Sequence, residues 1–422
     1  MSTKSVLALV LAAGKGTRMQ SNVPKVLHEI CGKPLLGHVL DAIAGAGIRK
    51  VVVVVGHGEK EVRSFISNRV GTVRQFPQAG TGHAVLCAER VLSRWNGLVL
   101  ILPGDAPCVQ PETIREMIRS HERSKALATV LTARVKEPHG YGRVLRSGGQ
   151  VRGIREELDA TDEERKINEV NSGIYLFDGK ALLKHLRALK RNKLKKEYYL
   201  TDAVETLVKE GKEIFGFQVS DEKEALGINS RWDLAMAEHV LNRREIERHS
   251  RNGVTVVSPD NTFIASGVTI GKDTVIYPFS WIERRVKIGS SCKIGPFAMV
   301  REGSRVGDQA VIGCFVEVVR SSVGKGSRVK HLTYLGDAIL QENVNVGAGT
   351  ITANFDGVKK QKTIIGKGAL IGSNTVLVAP LKVGRGAKTG AGSVVLSKHH
   401  VPAGKTVVGV PAKIVHRKRG VK

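Results

Sequence analysis

Near its start, the chain reads VLALVLAAGKGTRM at residues 6–19, where an aliphatic run leads directly into a glycine-rich loop. The run at residues 6–11 is typical of a strand that is buried on both faces of a parallel sheet. The small residues after it let the backbone approach a phosphate closely, and their N–H groups can form a nest for an anion. An ordinary strand-to-helix turn has the same composition, and the loop matches neither the Walker pattern nor the dinucleotide fingerprint. The stretch predicts an α/β domain and leaves phosphate binding as one of two interpretations.

Strand-like and helix-like segments alternate onward from this loop, through residues 1–228. Further aliphatic strands are predicted at 50–55 and 98–102, with helices at 35–44 and 82–92 between them. Such alternation favours a doubly wound, Rossmann-like domain with a mainly parallel, mixed sheet. Ligands bind such sheets beyond the carboxyl ends of the strands. Residues 229–250 have the apolar spacing of one helix, which we expect to link this domain to the second half.

Glycines recur in the second half at multiples of six residues. They are Gly271, Gly289, Gly295, Gly307 and Gly313 and, in a second phase, Gly324, Gly336, Gly366, Gly372, Gly384 and Gly390. An aliphatic residue precedes all but the last of them. A hexapeptide period is the signature of a β-helix, in which the aliphatic residue points inward and stacked coils share one core. A β-sandwich is disfavoured, because its strands alternate with period two. We predict a parallel β-helix over residues 251–422, with a phase break between Gly313 and Gly324 and an irregular segment at 347–362.

Composition limits the classes of protein to which the chain can belong. Its 422 residues contain no apolar run of the length that a membrane helix needs, so we expect no membrane insertion. The N-terminus lacks a signal-peptide cleavage site, and the five scattered cysteines favour reduced thiols in the cytoplasm. The net charge of +27 attracts phosphate compounds, but it is spread along the chain, and only residues 416–419 form a basic cluster. We therefore expect no specific nucleic-acid binding.

A series of further motifs follows the first loop in order. It comprises Pro24-Lys25, Gln75, Gly80-Thr81-Gly82-His83-Ala84, Gly104-Asp105-Ala106-Pro107, Gly140-Tyr141-Gly142-Arg143, Glu156, Asn171-Ser172-Gly173, Tyr198-Tyr199-Leu200-Thr201-Asp202 and Asn229. With the hexapeptide half, this series strongly resembles the bifunctional N-acetylglucosamine-1-phosphate uridyltransferase/glucosamine-1-phosphate N-acetyltransferases, the GlmU family. The resemblance covers nearly the whole chain. It implies a nucleotidyltransferase domain at 1–228, a linker helix at 229–250 and a left-handed β-helix acetyltransferase domain at 251–422.

For the first half, the resemblance implies uridylyl transfer from UTP to N-acetylglucosamine 1-phosphate with release of pyrophosphate. The implied nucleotide and sugar residues are Leu11, Ala12, Ala13, Gly14, Lys25, Gln75, Gly80, Thr81, Gly104, Asp105, Gly142, Glu156, Asn171 and Asn229. Asp105 and Asn229 would bind Mg²⁺, which suits an oxygen pair that leaves room for water and phosphate ligands. Arg18 and Lys25 would neutralise charge during phosphoryl transfer, which depends mostly on positioning and electrostatics. Taken alone, Asp105 could instead cap a helix.

For the second half, the resemblance implies acetyl transfer from acetyl-CoA to glucosamine 1-phosphate. His331, within HLTYLGD at 331–337, would be the general base, although a lone histidine is more often structural. The implied acceptor residues are Arg301, Tyr334, Asn345 and Lys360, and the implied acetyl-CoA residues are Ala348, Asn354, Phe355, Ser373 and Ala391. The family also implies a homotrimer, with this site between subunits, and a role in supplying UDP-N-acetylglucosamine for peptidoglycan and lipopolysaccharide synthesis.

Three positions depart from the family pattern. Val319 stands where the family has a phosphate-binding lysine, and Arg320 beside it should point to the opposite face of the strand and so not replace that lysine. Phe355 replaces a tyrosine, and Gly409 replaces an arginine that contacts CoA. Lys413, or Arg417 and Lys418 near the end of the chain, could meet the CoA phosphates instead.

Two other interpretations compete with a bifunctional enzyme. In one, the protein is a nucleotidyltransferase alone, and the β-helix serves trimer assembly or acylates another acceptor; Val319 and Gly409 keep this interpretation open. In the other, the chain binds nucleotide sugars without turnover, and the intact Asp105, Lys25 and Asn229 argue against it.

Overall fold

The computed structural model describes residues 5–66, 70–192 and 196–415. The chain forms two compact units, Met1–Val240 and Leu241–Lys422. The basic cluster at 416–419, with Arg417 and Lys418, lies outside the described residues. Among those described, no helix combines the length and the apolar character that a membrane crossing requires. The five cysteines are free thiols.

The first unit is an α/β unit. Its strands are β1 Val6–Ala12, β2 Glu29–Ile30, β3 Lys33–Pro34, β4 Lys50–Val55, β5 Gly71–Arg74, β6 Leu98–Pro103, β7 Ala128–Arg134, β8 Gly142–Ser147, β9 Gln150–Arg155, β10 Glu169–Asp178 and β11 Ile214–Gln218. Its helices are α1 Leu35–Gly45, α2 Glu59–Phe65, α3 Thr81–Leu86, α4 Glu89–Leu92, α5 Pro111–Ser124, α6 Asp162–Arg165, α7 Gly179–Arg187, α8 Thr201–Lys209 and α9 Arg231–Arg251. Short 3₁₀ turns cover Thr17–Met19, Lys25–Leu27 and Glu222–Ala225.

The main sheet of this unit is mixed, as expected. Its order is β11-β7-β10-β6-β1-β4-β5, and β8 and β9 form a hairpin beside β10. The pairs of β1 with β4 and β6, of β4 with β5 and of β7 with β11 are parallel, whereas β10 runs antiparallel to β6 and β7. Buried aliphatic side chains line both faces of the sheet. The carboxyl ends of β1, β4 and β6 therefore lie side by side at one edge.

Two predicted helices differ in detail from those of the structure. The single helix predicted at 82–92 is wrong, because α3 ends at Leu86 and α4 begins at Glu89. The backbone N–H of Ala88 donates to Val85 O at 3.0 Å, which is the tighter spacing of a 3₁₀ turn. The helix at the end of the first half, α9, covers Arg231–Arg251, and the boundary between the two units falls inside it.

The second unit is the predicted β-helix, whose three faces are parallel sheets except that the last strand of the first face, Lys413–Ile414, pairs antiparallel. The first face contains Thr255–Val256, Val275–Ile276, Lys293–Ile294, Val311–Cys314, Arg328–His331, Asn345–Val346, Leu370–Ile371, Lys388–Thr389, Thr406–Val408 and Lys413–Ile414. The second face contains Phe263–Ile264, Trp281–Ile282, Met299–Val300, Glu317–Val319, Tyr334–Gly336, Ile351–Ala353, Val376–Val378 and Val394–Val395. The third face contains Thr269–Ile270, Lys287–Ile288, Arg305–Val306, Ser322–Val323, Ala338–Leu340, Thr363–Ile365 and Leu381–Val383.

The residue pairing between coils explains the breaks in the glycine period. Val275 pairs with Lys293 and Lys293 with Val311, eighteen residues apart each time. The next two coils are one residue shorter, since Val311 pairs with Arg328 and Arg328 with Asn345. This shortening is the phase break predicted between Gly313 and Gly324. The next coil is longer, because an excursion at residues 354–362 leaves the second face before the third face begins.

The aliphatic residues before the periodic glycines point inward, as predicted. Ile294, Ile312, Leu335 and Ile371 are fully buried in a single core that continues along the described coils. The glycines are needed where adjacent coils meet: a Cβ on Gly384 would lie 2.4 Å from the backbone nitrogen of Ala403 in the next coil. Each repeat thus places one aliphatic side chain in the core and one glycine at a corner.

Candidate active sites

The loops after β1 and β6 meet at the carboxyl edge of the mixed sheet. Leu11 pairs with Pro103, and the Gly104 N–H donates to the Leu11 carbonyl at 2.8 Å. Ala12 and Ala13 are buried, whereas Gly14 is exposed, and nothing lies within 4 Å of a Cβ built on it. The sheet therefore presents a small-residue loop with open space above its backbone, directly beside Asp105.

Four predicted residues converge at this edge. The Lys25 ammonium forms an ion pair with the Asp105 carboxylate and donates to Asn229 Oδ1 at 3.3 Å. The Arg18 guanidinium donates to the same amide oxygen at 2.8 Å. About 15% of the Lys25 and Asp105 side-chain surfaces is exposed. Two cationic side chains and two oxygen-bearing side chains, from distant parts of the sequence, thus lie around one point.

Local sequence features hold these side chains in place. Gly16 has φ +60°, and a Cβ built on it would lie 2.7 Å from Lys25 Cβ, so a side chain at 16 would displace that lysine. Asn229 precedes a capping box: Asp233 accepts from the backbone N–H groups of Asn229 and Ser230, and its own N–H donates to Ser230 Oγ. The sequence analysis gave Asp233 no role, although the Ser230-x-x-Asp233 spacing is a readable signal for it.

The donor set at this point fits a hard divalent cation. Asp105 and Asn229 offer one carboxylate and one amide oxygen that face a common ammonium position. Oxygen ligands of this kind suit a cation that also takes water and phosphate. In the described ranges, no group of three or more His, Cys, Asp or Glu side chains could hold a metal. Asp105 and Asn229 supply two oxygen ligands, and such a cation takes water and phosphate oxygens at its other positions.

Gln75, Gly80 and Thr81 form a second group. The Gln75 side chain is buried, and its amide donates to the Gly80 carbonyl at 2.9 Å. Thr81 Oγ1 accepts from the Leu200 N–H at 3.1 Å. Gly80 has φ +100°, and a Cβ on it would lie 2.5 Å from the Tyr198 carbonyl. These contacts hold the Gln75 amide, the Gly80 carbonyl and the Thr81 hydroxyl in fixed positions.

Gly142, Asn171 and Glu156 lie around the β8–β9 hairpin and β10. A Cβ on Gly142 would lie 3.7 Å from Asn171 Cβ, and Asn171 donates to the Tyr175 hydroxyl at 2.6 Å. Glu156 accepts from the Thr201 hydroxyl at 3.1 Å. Glu156 also lines a cavity of about 290 Å³ beside this group. The three predicted sugar residues thus lie in one region of the first unit.

That cavity is strongly acidic. Asp159, Asp202 and Glu205 line it together with Glu156. Burial, followed by repulsion from Glu205, Glu156 and Asp159, raises the pKa of Asp202 to about 6. Burial and the nearby carboxylates also raise the pKa of Tyr199 to about 12. This cluster was not predicted, because its members come from two segments that are distant in sequence, 156–159 and 202–205.

In the second unit, the predicted acetyltransferase residues divide between the two edges of the second face. Ala348, Ser373 and Ala391 stack at its first corner, where the Asn374 N–H donates to Ala348 O at 2.7 Å and the Gly392 N–H to Ser373 O at 2.8 Å. His331 ends a first-face strand at the same corner and is exposed. Asn345 lies on the first face nearby and is exposed too. Among the described residues, no side-chain hydrogen bond or ion pair engages the His331 imidazole.

The remaining predicted residues lie on the second face or at its opposite corner. A Cβ on Gly336 would lie 2.6 Å from both the Tyr334 hydroxyl and the Asn354 amide nitrogen, so these two side chains meet above Gly336. Lys360 is exposed on the excursion that follows Asn354. The strand between the two corners has three residues, which corresponds to about 10 Å. One chain therefore holds His331 and Asn354 at opposite ends of this strand, with Tyr334 at its start and the Tyr334 hydroxyl reaching towards Asn354.

Acidic side chains hold the cations of the second corner. Arg301 donates to Glu317 at 3.1 Å and lies 3.6 Å from a Glu283 oxygen. Arg320 binds Asp337 through two hydrogen bonds of 2.8 Å, and it holds the pKa of the Asp337 carboxyl below its usual range. Asp337 also accepts from the Asn354 amide. A network from Arg320 through Asp337 thus fixes Asn354.

The prediction that strand alternation sets the direction of the Arg320 side chain is wrong. The strand ends at Val319, and Arg320 follows it with φ +48°, so strand alternation does not set its direction. Arg320 is nonetheless engaged, because both of its donor groups point to Asp337. Val319 is buried, with 4% of its surface exposed. Phe355 is largely exposed, and Gly409 has φ +97°, a backbone conformation that an arginine would adopt only with strain.

Comparison with known proteins gives a consistent result for both halves. Residues 8–196 match the MobA-like NTP transferase domain, and residues 285–320 match the bacterial transferase hexapeptide (six repeats). The chain is 44% identical over 420 residues to a protein named bifunctional protein GlmU from Fervidobacterium nodosum, covering 92% of this chain and 91% of that protein. Proteins of the same name from Carboxydothermus hydrogenoformans and Clostridium perfringens are 42% and 41% identical over at least 91% of each chain.

Proposed function

The chain belongs to the family of bifunctional GlmU proteins, and on that premise we propose that it acetylates glucosamine 1-phosphate and then uridylylates the product. Acetyl-CoA is the acetyl donor and UTP the uridylyl donor. The products are UDP-N-acetylglucosamine, a precursor for the bacterial cell wall, and pyrophosphate. We assign both reactions to the cytoplasm, in keeping with five free thiols.

The observation that carries uridylyl transfer is the convergence of Lys25, Arg18, Asp105 and Asn229 beside the loop at 11–14. A phosphate oxygen of the sugar 1-phosphate must attack the α-phosphorus of UTP while pyrophosphate departs. Both reactants are anions, so the site must neutralise charge and hold them in line. Lys25 and Arg18 supply fixed positive charge, and the backbone of the loop approaches the phosphates. Gln75, Gly80 and Thr81 then hold the uracil, and Gly142, Glu156 and Asn171 hold the sugar.

Asp105 and Asn229 would hold Mg²⁺ when the nucleotide is bound. When bound, the ion supplies charge neutralisation at the phosphate oxygens. Lys25, which contacts both of these oxygens, would then contact phosphate instead. This assignment is supported by the oxygen-only donor set and by the common point that both oxygens face.

For acetyl transfer, His331 would remove a proton from the amine of glucosamine 1-phosphate as the amine attacks the thioester carbonyl. The C–S bond would then break, and CoA would leave as its thiol. An amine is nucleophilic only when it is unprotonated, which requires a base of this kind. Tyr334, Arg301, Asn345 and Lys360 would bind the acceptor, and Asn354 and Phe355 would shape the thioester pocket. Ala348, Ser373 and Ala391 present their corner to the CoA chain.

We propose a homotrimer in which this site forms between two subunits. The proposal is supported by the separation of the two corners: His331 lies at one, and Asn354 lies at the other. A neighbouring copy could place its second corner against the first corner of this chain. Closed cyclic assemblies repeat such a contact identically at every interface.

One observation favours a second candidate. Arg301 is already neutralised between Glu283 and Glu317, and Val319 adds no charge. The β-helix could therefore act on an acceptor without a phosphate, with the nucleotidyltransferase reaction unchanged. Comparing glucosamine with glucosamine 1-phosphate as acceptors distinguishes the two candidates.

The test for the first reaction is pyrophosphate release from UTP and N-acetylglucosamine 1-phosphate. Wild type should release pyrophosphate in a magnesium-dependent manner, and Asp105→Asn should lose activity at limiting Mg²⁺. Asp41→Asn is the matched control, because Asp41 also pairs with a lysine of the first unit but lies away from the loop. Equal loss in both variants, or full activity in Asp105→Asn, would reject the assignment.

A further inference from the structure

A second cavity, which we call the lysine cavity, lies at the second corner of the β-helix. Its volume is about 470 Å³. Four lysines and one histidine line it: Lys360, Lys362, Lys382, Lys398 and His400. The other lining residues are uncharged. These groups come from successive coils, so they converge only in the folded unit.

The ammonium groups in this cavity lack acidic partners. Within the described ranges, no carboxylate lies within ion-pair distance of Lys362, Lys382 or Lys398, whereas Lys367 nearby pairs with Glu342 at 2.6 Å. Lys360 acts electrostatically on Asp337 but forms no ion pair in the part of the chain that the structure describes. Like charges that share a small volume repel each other, and an anion between them removes that repulsion. The charge pattern is that of an anion site.

Backbone hydrogen bonds between adjacent coils hold the segments that carry these lysines. The Leu381 N–H donates to Lys362 O at 3.2 Å, the Lys398 N–H to Pro380 O at 2.8 Å and the Val401 N–H to Lys382 O at 2.9 Å. The Lys382 N–H donates to His400 Nδ1 at 3.1 Å, which leaves Nε2 as the donor of the neutral ring. A rigid scaffold with one imidazole donor is better suited to a specific ligand than to a diffuse ion cloud.

We propose that the lysine cavity is a phosphate-binding subsite for a phosphorylated substrate of the acetyltransferase half. The inference rests on the proposed acetyl transfer and goes beyond the residues assigned to it, since Lys362, Lys382, Lys398 and His400 have no role in that assignment. The phosphate belongs either to CoA, which carries several, or to the sugar 1-phosphate. Because Gly409 and Val319 leave both substrates without an expected cation, either could use the cavity.

The experiment measures binding to the full-length protein by calorimetry. The ligands are CoA, 3′-dephospho-CoA, glucosamine 1-phosphate and inorganic pyrophosphate. The test variant is Lys382→Ala/Lys398→Ala, and the matched control is Lys388→Ala, which removes an exposed lysine from the first face of a nearby coil. Circular dichroism and thermal unfolding check that each variant folds. Charge-assisted contacts to phosphate predict a loss of about tenfold in affinity for the double variant and less than twofold for the control.

The pattern of loss identifies the source of the phosphate. Weaker CoA binding with unchanged dephospho-CoA binding assigns the 3′-phosphate, and weaker binding of both assigns the CoA diphosphate. Weaker glucosamine 1-phosphate binding alone assigns the sugar phosphate. If all four ligands bind the double variant as they bind Lys388→Ala, or if none binds wild type, the inference is overturned. Acetyl transfer is assayed separately: cavity-dependent binding without turnover would reject the proposed reaction and retain the subsite.

Discussion

The two candidate sites differ in how much of each a single chain provides. In the first unit, Arg18, Lys25, Asp105 and Asn229 contact one another around one point. In the second unit, His331 lies at one corner of the second face, and Asn354 lies at the other. A sheet edge collects loops from several strands, whereas a β-helix distributes its corners around a core. The first group of residues thus meets within one chain, and we propose that the second site is completed only in an assembly.

Subunit mixing tests this difference most directly. We expect His331→Asn and Asn354→Ala each to lower acetyl transfer by about 10²–10⁴-fold, because one removes the base and the other the thioester pocket. When both variants are co-expressed in equal amounts, about a quarter of the interfaces carry two intact corners, so about a quarter of wild-type activity should return. Activity of purified mixed trimers is the measurement.

The same mixing applied to the first unit is the control. Asp105→Asn and Asn229→Ala remove two groups that meet within one chain, so mixed assemblies should recover no uridylyl transfer. Recovery there, or no recovery of acetyl transfer in the second unit, would contradict the comparison.

Much of the fold was predictable because its signals are local. The glycine period specifies one corner per repeat, and a buried strand followed by small residues specifies the loop at 11–14. The identity of the nucleotidyltransferase residues came from the family resemblance, and the structure adds that Lys25, Asp105 and Asn229 meet. The sequence did not predict that the acetyltransferase residues divide between two corners of the second face. Coil length varies, so the position of residues 331–337 relative to the excursion at 354–362 cannot be read from the glycine period.

Other features depend on backbone conformation or on distant coils. The direction of Arg320 follows from its φ of +48°, which strand alternation does not predict. The lysine cavity combines Lys362, Lys382 and Lys398, one from each of three coils, and each alone is an ordinary surface lysine. By contrast, the capping box at Ser230 and Asp233 was readable from spacing and was overlooked.

A smaller effect should follow from the network that fixes Asn354. Asp337→Asn removes the charge that binds Arg320 and loosens the Asn354 amide. Charged hydrogen bonds of this kind are worth about 1.5–3 kcal/mol, so we expect the KM for acetyl-CoA to rise by about tenfold or more. Steady-state kinetics should show little change in kcat, since His331 is untouched. Glu342→Gln, which breaks the surface pair with Lys367, should leave both constants unchanged; a similar effect there would indicate general loss of structure.

The two units should also respond to acid in different ways. Burial, followed by repulsion from Arg248, lowers the pKa of His249 in the second unit to about 4. A histidine whose folded pKa lies below its unfolded value of about 6.5 stabilises the fold above that value, and this stability is lost as pH falls towards 4. The loss is at most about 3 kcal/mol. The melting temperature of the second unit should therefore decrease as pH is lowered from 6.5 to 4. The decrease should be smaller in His249→Gln. His399→Gln, an exposed control, should behave like wild type.

We expect the smallest effect from Asp202, which belongs to the first unit. Its contribution to stability changes with pH in the direction opposite to that of His249. Its folded pKa of about 6 exceeds the ordinary value of 3.8, because the side chain is partly buried beside Glu205, Glu156 and Asp159. Its stabilising contribution is present below about pH 4 and is lost as pH rises through 6. Asp202→Asn should therefore raise the first unit's melting temperature by about 1–4 °C at pH 7.5 and change it little at pH 4. Stabilisation by UTP identifies the transition of that unit. Asp162→Asn is the matched control, since Asp162 is also in the first turn of a helix but is exposed. An equal rise in both variants, or a rise that persists at pH 4, would mean that the ionised Asp202 carboxylate in the acidic cavity does not cause the destabilisation.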